Sequence, residues 1–165
     1  MSSDTLSASD QFHVEVAKEP LSNSNVVVEV FRDGKLIARR TKHNLVMNTG
    51  KAQMAKRLVT APSTYFQFMR LGTNAAAAAS GQTKITTAIA SSQRTCDTAA
   101  MSGTRTAKFI RTWIGANFSA SGICEAGIYD HRTHATGVML ARVTFTAVTK
   151  TNSDTLKLTW TVKVN

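Results

Sequence analysis

Near the end of the chain, Leu156, Leu158, Trp160, Val162 and Val164 recur at every second position, with Lys157, Thr159, Thr161 and Lys163 between them. A period of two puts all the large apolar groups on one face of a strand and the polar groups on the other. Such a strand must lay its apolar face on a core built by other strands. The preceding segments repeat the message. Ile123 to Tyr129 reads as a half-buried strand, Asp130 to Gly137 as a polar loop, and Val138 to Phe145 as a second alternating strand. Asn152-Ser153-Asp154 then breaks the chain before the last one. This is the ending of a sandwich or barrel.

Upstream the same grammar continues. Val26 to Phe31 is a β-branched run that meets Asp33-Gly34, a dipeptide favoured in tight hairpin turns, and Leu36 to Val46 is its return strand. Asn48 or Thr49 is placed to cap a helix over about residues 50–59, with Ala52, Ala55, Leu58 and Val59 on its apolar face and Lys51, Lys56 and Arg57 outward. One helix of that length cannot make a layer, so it is expected to plug an open end. Phe66 to Leu71 is a further strand. The five alanines from Ala75 to Ala79, followed by Ser80-Gly81, read as an exposed loop, and Ile85 to Ser91 as a helical turn. Gln93 to Ala100 and Thr104 to Phe118 read as a long antiparallel pair turning at Met101-Ser102-Gly103, with both faces of the second strand partly apolar. Seven or eight strands and one short helix imply an all-β antiparallel β-sandwich, jelly-roll-like in preference to a small barrel, over residues 25–165.

Residues 1–24 differ in character. They are rich in Ser, Asp, Thr and Asn and show only a brief Phe12-Val14-Val16 alternation. Asp4, Asp10, Glu15 and Glu19 stand against Lys18 alone, a net −3, so the rest carries +13 of the total +10. This predicts an extended acidic arm on a basic body, with the arm reaching other subunits. Within the body Arg39, Arg40 and Lys42, followed by Lys51, Lys56 and Arg57, gather across the strand–helix junction. Together with Asp4, Asp10, Phe12, Glu15 and Glu19 of the arm, Arg39, Arg40 and Lys42 are the candidate interface residues. Their electrostatic partner is either an acidic protein surface or a nucleic acid. Against the second stands the want of aromatics interleaved with the basic positions.

Sites for chemistry are scarce. His131 and His134 form the one close histidine pair, with Asp130 the nearest carboxylate and no evident third ligand. Asn48-Thr49-Gly50-Lys51 matches only the end of a phosphate-binding loop, and Ala52 stands where Ser or Thr is required. Serine-hydrolase and zinc-protease motifs are missing, and the acidic residues are too scattered to nominate a general acid and base. Cys96 and Cys124 fit neither a CxxC site nor a disulfide framework and read as small buried hydrophobes. No run is apolar for long enough to span a membrane, and the first residues lack the pattern of a signal peptide, which suggests a reducing cytoplasm. A non-enzymatic protein without cofactor or metal is expected.

Several blocks in the second half carry a resemblance. Glu125-Ala126-Gly127-Ile128-Tyr129-Asp130, Met139-Leu140-Ala141-Arg142-Val143-Thr144-Phe145, Lys150-Thr151-Asn152-Ser153-Asp154-Thr155-Leu156 and Leu158-Thr159-Trp160-Thr161 are similar, in that order, to small virion structural proteins of tailed bacteriophages. Asn44-Leu45-Val46, Asn48-Thr49-Gly50 and Leu71-Gly72-Thr73 extend the likeness, which covers about residues 44–164. It implies a building block of a virion, assembled in the host cytoplasm: a capsid decoration (cement) protein that clamps major capsid subunits or neighbouring copies, or else a tail, neck or baseplate component.

Overall fold

The computed structural model describes residues 25–61, 64–133 and 136–163. The arm positions Asp4, Asp10, Phe12, Glu15 and Glu19, with His134 and Val164, lie outside them.

Ten strands and one helix follow in the order β1 Val26–Arg32, β2 Lys35–Lys42, β3 Leu45–Val46, α1 Asn48–Val59, β4 Phe68–Gly72, β5 Arg94–Thr95, β6 Thr98–Gly103, β7 Thr106–Trp113, β8 Ala120–Tyr129, β9 Met139–Lys150 and β10 Asp154–Lys163. They make two five-stranded sheets, β2-β1-β10-β7-β6 and β3-β9-β8-β4-β5. Every pairing between the strands is antiparallel. The protein is thus an antiparallel β-sandwich. Two features resemble a jelly roll: the early strand β1 lies beside the last, β10, and β3 lies beside β9. Three are simpler, the local hairpins β1–β2, β6–β7 and β8–β9.

The core lies between the sheets. Val26, Val28 and Val30 of β1, Leu156, Leu158, Trp160 and Val162 of β10, and Phe109 and Trp113 of β7 all point inward and are buried. Full burial of a side chain of this size contributes about 1.5–3 kcal/mol, so this face dominates the stability of the first sheet. The Asp33-Gly34 turn forms as the dipeptide predicts. Both residues take positive φ (49° and 74°), the conformation of a two-residue hairpin whose twist matches its strands.

Several expectations are corrected. The return strand does not run to Val46 in one piece: β2 ends at Lys42, and Leu45–Val46 crosses to pair with β9 in the other sheet. The run from Gln93 is likewise divided, with Arg94–Thr95 pairing to β4 and Thr98 onward to β7, and its hairpin turns at Thr104-Arg105. Residues 85–91 form no helical turn; Ile85 is buried and Ala88 bridges to Gly72. Lys51 and Lys56 of the helix face solvent as expected, but its covered stripe is a different one. Ala52, Ala55, Leu58 and Val59 are exposed, while Gln53, Met54 and Arg57 are partly covered. The cause is contact at its N-terminal end, where a Cβ on Gly50 would come within 2.4 Å of the Leu140 carbonyl oxygen. That close approach sets the helix's rotation. Nor does a side chain cap it: Met47 is the N-cap, the Asn48 N–H donates to the Ser80 carbonyl (2.9 Å), and the Thr49 hydroxyl donates to the Met139 carbonyl (3.0 Å).

The half-buried reading of Ile123 to Tyr129 also changes, because this segment is buried on both faces. Ala126 and Ile128 enter the main core. Tyr129 joins Met47, Ile85 and Met139 in a second cluster outside the sheet. The loop between β4 and β5 supplies Ile85 and so roofs that face.

Trp160 is fully buried, between Val26 and Phe109 on the flanking strands. Trp160→Ala is expected to lower stability by about 3–5 kcal/mol, the usual cost of emptying a large aromatic site. Its indole N–H meets no acceptor among the described residues. Trp160→Phe should therefore cost distinctly less than Trp160→Ala. Urea midpoints of the two variants check both statements, and an unchanged midpoint for the alanine variant would place the side chain outside the core.

Candidate docking surface

β6 is an edge of the first sheet, paired on one side only. Its sequence, Thr-Ala-Ala-Met-Ser-Gly, carries no charge, and all of it after Thr98 is exposed. An uncharged edge strand with a free row of backbone N–H and C=O groups is the kind that accepts another strand. Ala99 pairs with Phe109, and Met101 with Ala107. Ala99 and Met101 therefore share the inward face of the sheet, yet Met101 is 65% exposed. The core is open beneath this edge.

The opening is a groove of about 460 Å³. One wall is Ala99, Met101, Ala107 and Phe109 of the sheet. The other is Phe66 and Tyr65 with Met54 and Arg57 of α1, above Leu140 and Val162. Most of its surface is apolar. Its one charged lining group, Arg57, lies over the Phe66 ring (4.3 Å to the centroid) and donates to the Thr64 carbonyl (2.7 Å). The guanidinium is therefore held in place at the mouth, and the same helix leaves Leu58 and Val59 more than 80% exposed.

The basic candidates stand at the opposite edge, on β2. Arg39 pairs with Glu29 on the outer face, its Nε 3.8 Å from the carboxylate. Arg40 and Lys42 pair with Val28 and Val26 and so belong to the other face. Three cations adjacent in sequence are split by strand alternation. Leu36 and Ile37, each about half exposed, share the strand with them.

The buried polar groups serve the fold. Arg142 donates through Nε to Glu125 (2.7 Å) and through Nη1 to Gln82 (3.0 Å), and Glu125 also accepts from the backbone N–H of Thr86 (3.1 Å) and Asn74 (3.4 Å). The Lys150 ammonium donates to the carbonyls of Phe118 (2.7 Å), Gly115 and Thr151 (both 3.3 Å), and its burial lowers its pKa. Burial pushes the Cys96 thiol up to about 12 and the Cys124 thiol upward, which keeps both protonated; neither forms a disulfide. His131 accepts through Nδ1 from the Thr133 N–H within its own loop. Among the described residues no group of three or more His, Cys, Asp or Glu is placed to hold a metal ion.

The groove escaped sequence reading because its walls come from four separate elements. The available signal is the absence of charge from Thr98 to Gly103, a stretch that the sequence alone presents as a strand end and turn.

At the far end of the first sheet, Asp154 is buried and accepts from Arg32 through Nε (2.8 Å) and Nη2 (3.1 Å), and from both the N–H and the hydroxyl of Thr151 (2.8 Å each). The Arg32 hydrogen bonds, then those of Thr151, hold its carboxyl well below the usual carboxylate range. A depressed folded-state pKa gives stability that is present above the ordinary aspartate range and lost as the pH falls through the folded value. Asp154→Asn should therefore be less stable than the parent at neutral pH and lose less on acidification below pH about 4. Urea titrations at several pH values check this; parallel pH profiles would remove Asp154 from the acid response. Comparison with models of known protein families, with curated proteins and with solved structures finds no match for this chain.

Proposed function

We propose that this chain is a non-enzymatic structural protein of a tailed-phage virion, a capsid decoration (cement) protein that clamps neighbouring major capsid subunits. The observation that carries the reading is the apolar groove beside an uncharged edge strand that is paired on one side only. A sandwich with an open edge is built to be completed by another chain. The likeness of its second half to small virion proteins supplies the setting, and the structural use of its buried polar groups supports a building block over a catalyst. A shell under pressure from packed DNA separates along its subunit seams, and a small domain that buries an apolar edge across a seam resists that separation. The basic strand β2 supplies the second contact, seating the body on an acidic shell surface or on the acidic arm of another copy.

Particles assembled without this chain should lose surface density and stability while keeping their tails; loss of tails instead would move the protein to the tail, neck or baseplate. Arg39, Arg40 and Lys42 sit at a rim, where each charge pair contributes about 0–1 kcal/mol. No single replacement should abolish attachment, whereas reversing all three to Glu should slow docking and reduce its salt dependence. Occupancy on purified particles at low and moderate salt reads this out. Wild-type occupancy of the triple variant under both conditions would exclude the strand from the interface. Tight binding of the parent to bare DNA, lost in the variant and steeply weakened by salt, would assign the basic residues to nucleic acid.

A further inference from the structure

We infer that the groove beside β6 receives residues 11–16 of a second copy's N-terminal arm, which adds to the first sheet as an antiparallel strand next to β6. The inference rests on the groove being a docking surface, as proposed above, and names what fills it.

Three observations select this occupant. The first is pattern. Strand addition at a sheet edge needs main-chain hydrogen bonds along the edge and alternate side chains for the pocket below it. Residues 1–24 contain one alternating apolar stretch, Phe12, Val14 and Val16, with His13 and Glu15 between. Its three apolar groups would all point under the edge, onto Ala99, Met101 and Phe109, while His13 and Glu15 face water.

The second is charge. The arm carries −3. β6 offers it no like charge, and Arg57 stands at the groove while Arg105 and Lys108 follow on the β6–β7 hairpin. A segment with the arm's net negative charge would therefore meet a basic margin and no like charge along the edge.

The third is topology, and it selects a second copy. Val26, Trp160, Phe109 and Ala99 form one row across the sheet. The described chain therefore starts level with the β6 edge and three strand spacings away, about 14 Å. A segment antiparallel to β6 runs in the same direction as β1. Joining two parallel strands of one sheet takes a crossover of about a dozen residues or more. Only residues 17–24 are available, and they include Pro20. The arm of another molecule meets no such limit. A parallel strand would relax the limit within one chain, but it would give the weaker ladder in a structure whose strand pairings are all antiparallel.

Two full-length variants test this. One carries Phe12→Ser, Val14→Ser and Val16→Ser and keeps the groove. The other carries Ala99→Glu and Met101→Glu, at positions exposed enough to leave folding intact, and keeps the arm. Sedimentation velocity across a concentration series should show association of the parent, monomers for each variant alone, and recovered heterodimers when the two are mixed. The mixture regains one joint per pair, so its association should be weaker than the parent's but clearly present. Association of the arm variant equal to the parent's, failure of the mixture to associate, or a parent that stays monomeric throughout would each overturn the inference. Attachment to particles separates it from the docking proposal. If the groove variant fails to attach while the arm variant attaches fully, the groove docks another protein and the arm is not its occupant.

Discussion

The pairing of Glu125 with Arg142 beneath the loop from Thr73 to Gln93 is the constraint on which the second sheet depends. Both side chains are fully buried, and together they reach one another, Gln82 and two backbone N–H groups of the loop. Two charges in such a place are costly to desolvate, and the pair contributes through the arrangement it enforces more than through net attraction. Losing either partner alone would leave the other buried without its counter-charge, a cost of about 3–5 kcal/mol. The loop is thus bound to the sheet by groups that cannot be satisfied if it lifts. Tyr129 adds a neutral tie, its hydroxyl accepting from the Ile85 N–H (2.9 Å) while burial raises its pKa to about 12.

This roof makes the two sheets unlike. The second is covered on both faces, by the core within and by the loop without, and its central strands β8 and β9 are buried through most of their length. The first has one dry face, and its strands β1 and β10 alternate buried and half-buried positions. The open edge at β6 belongs to this simpler sheet. Closure is invested on one side of the molecule, and the other side is left incomplete.

The sequence discloses these two sheets unequally for the same reason. Strands with one wet face advertise themselves through alternation, so β1 and β10, the Asp33-Gly34 turn and the inward Trp160 are legible in the sequence. A strand dry on both faces loses its alternation, and nothing local to Ile123–Tyr129 reveals that a segment some forty residues earlier will cover it. The helix failed for a different reason. Two apolar stripes were possible, and its rotation follows from one backbone contact at Gly50 that periodicity does not encode. Of the candidate interface residues, Arg39, Arg40 and Lys42 are visible as a charge cluster, but strand alternation distributes them over two faces. The groove depends on juxtaposition of Phe66, Phe109, Leu140 and Met54, far apart in sequence, and only the missing charge on β6 hinted at it.

The roofing loop has a property that follows from how it is anchored. Its fixed points are Gln82 on Arg142, Ile85 in the outer cluster, Ser80 on the start of α1 and Ser92, whose carbonyl takes the Trp113 indole N–H. Between Asn74 and Ser80 the alanine run makes only short-range bonds, among them the Ala76 N–H to the Asn74 side chain, and Ala75 to Ala77 face solvent. Lengthening an exposed loop costs little, since closure entropy grows only with the logarithm of its length. The alanine crest is consequently a natural seam for grafting foreign peptides, a platform where an epitope or a tag would stand clear of the fold while every anchor beneath it stays in place.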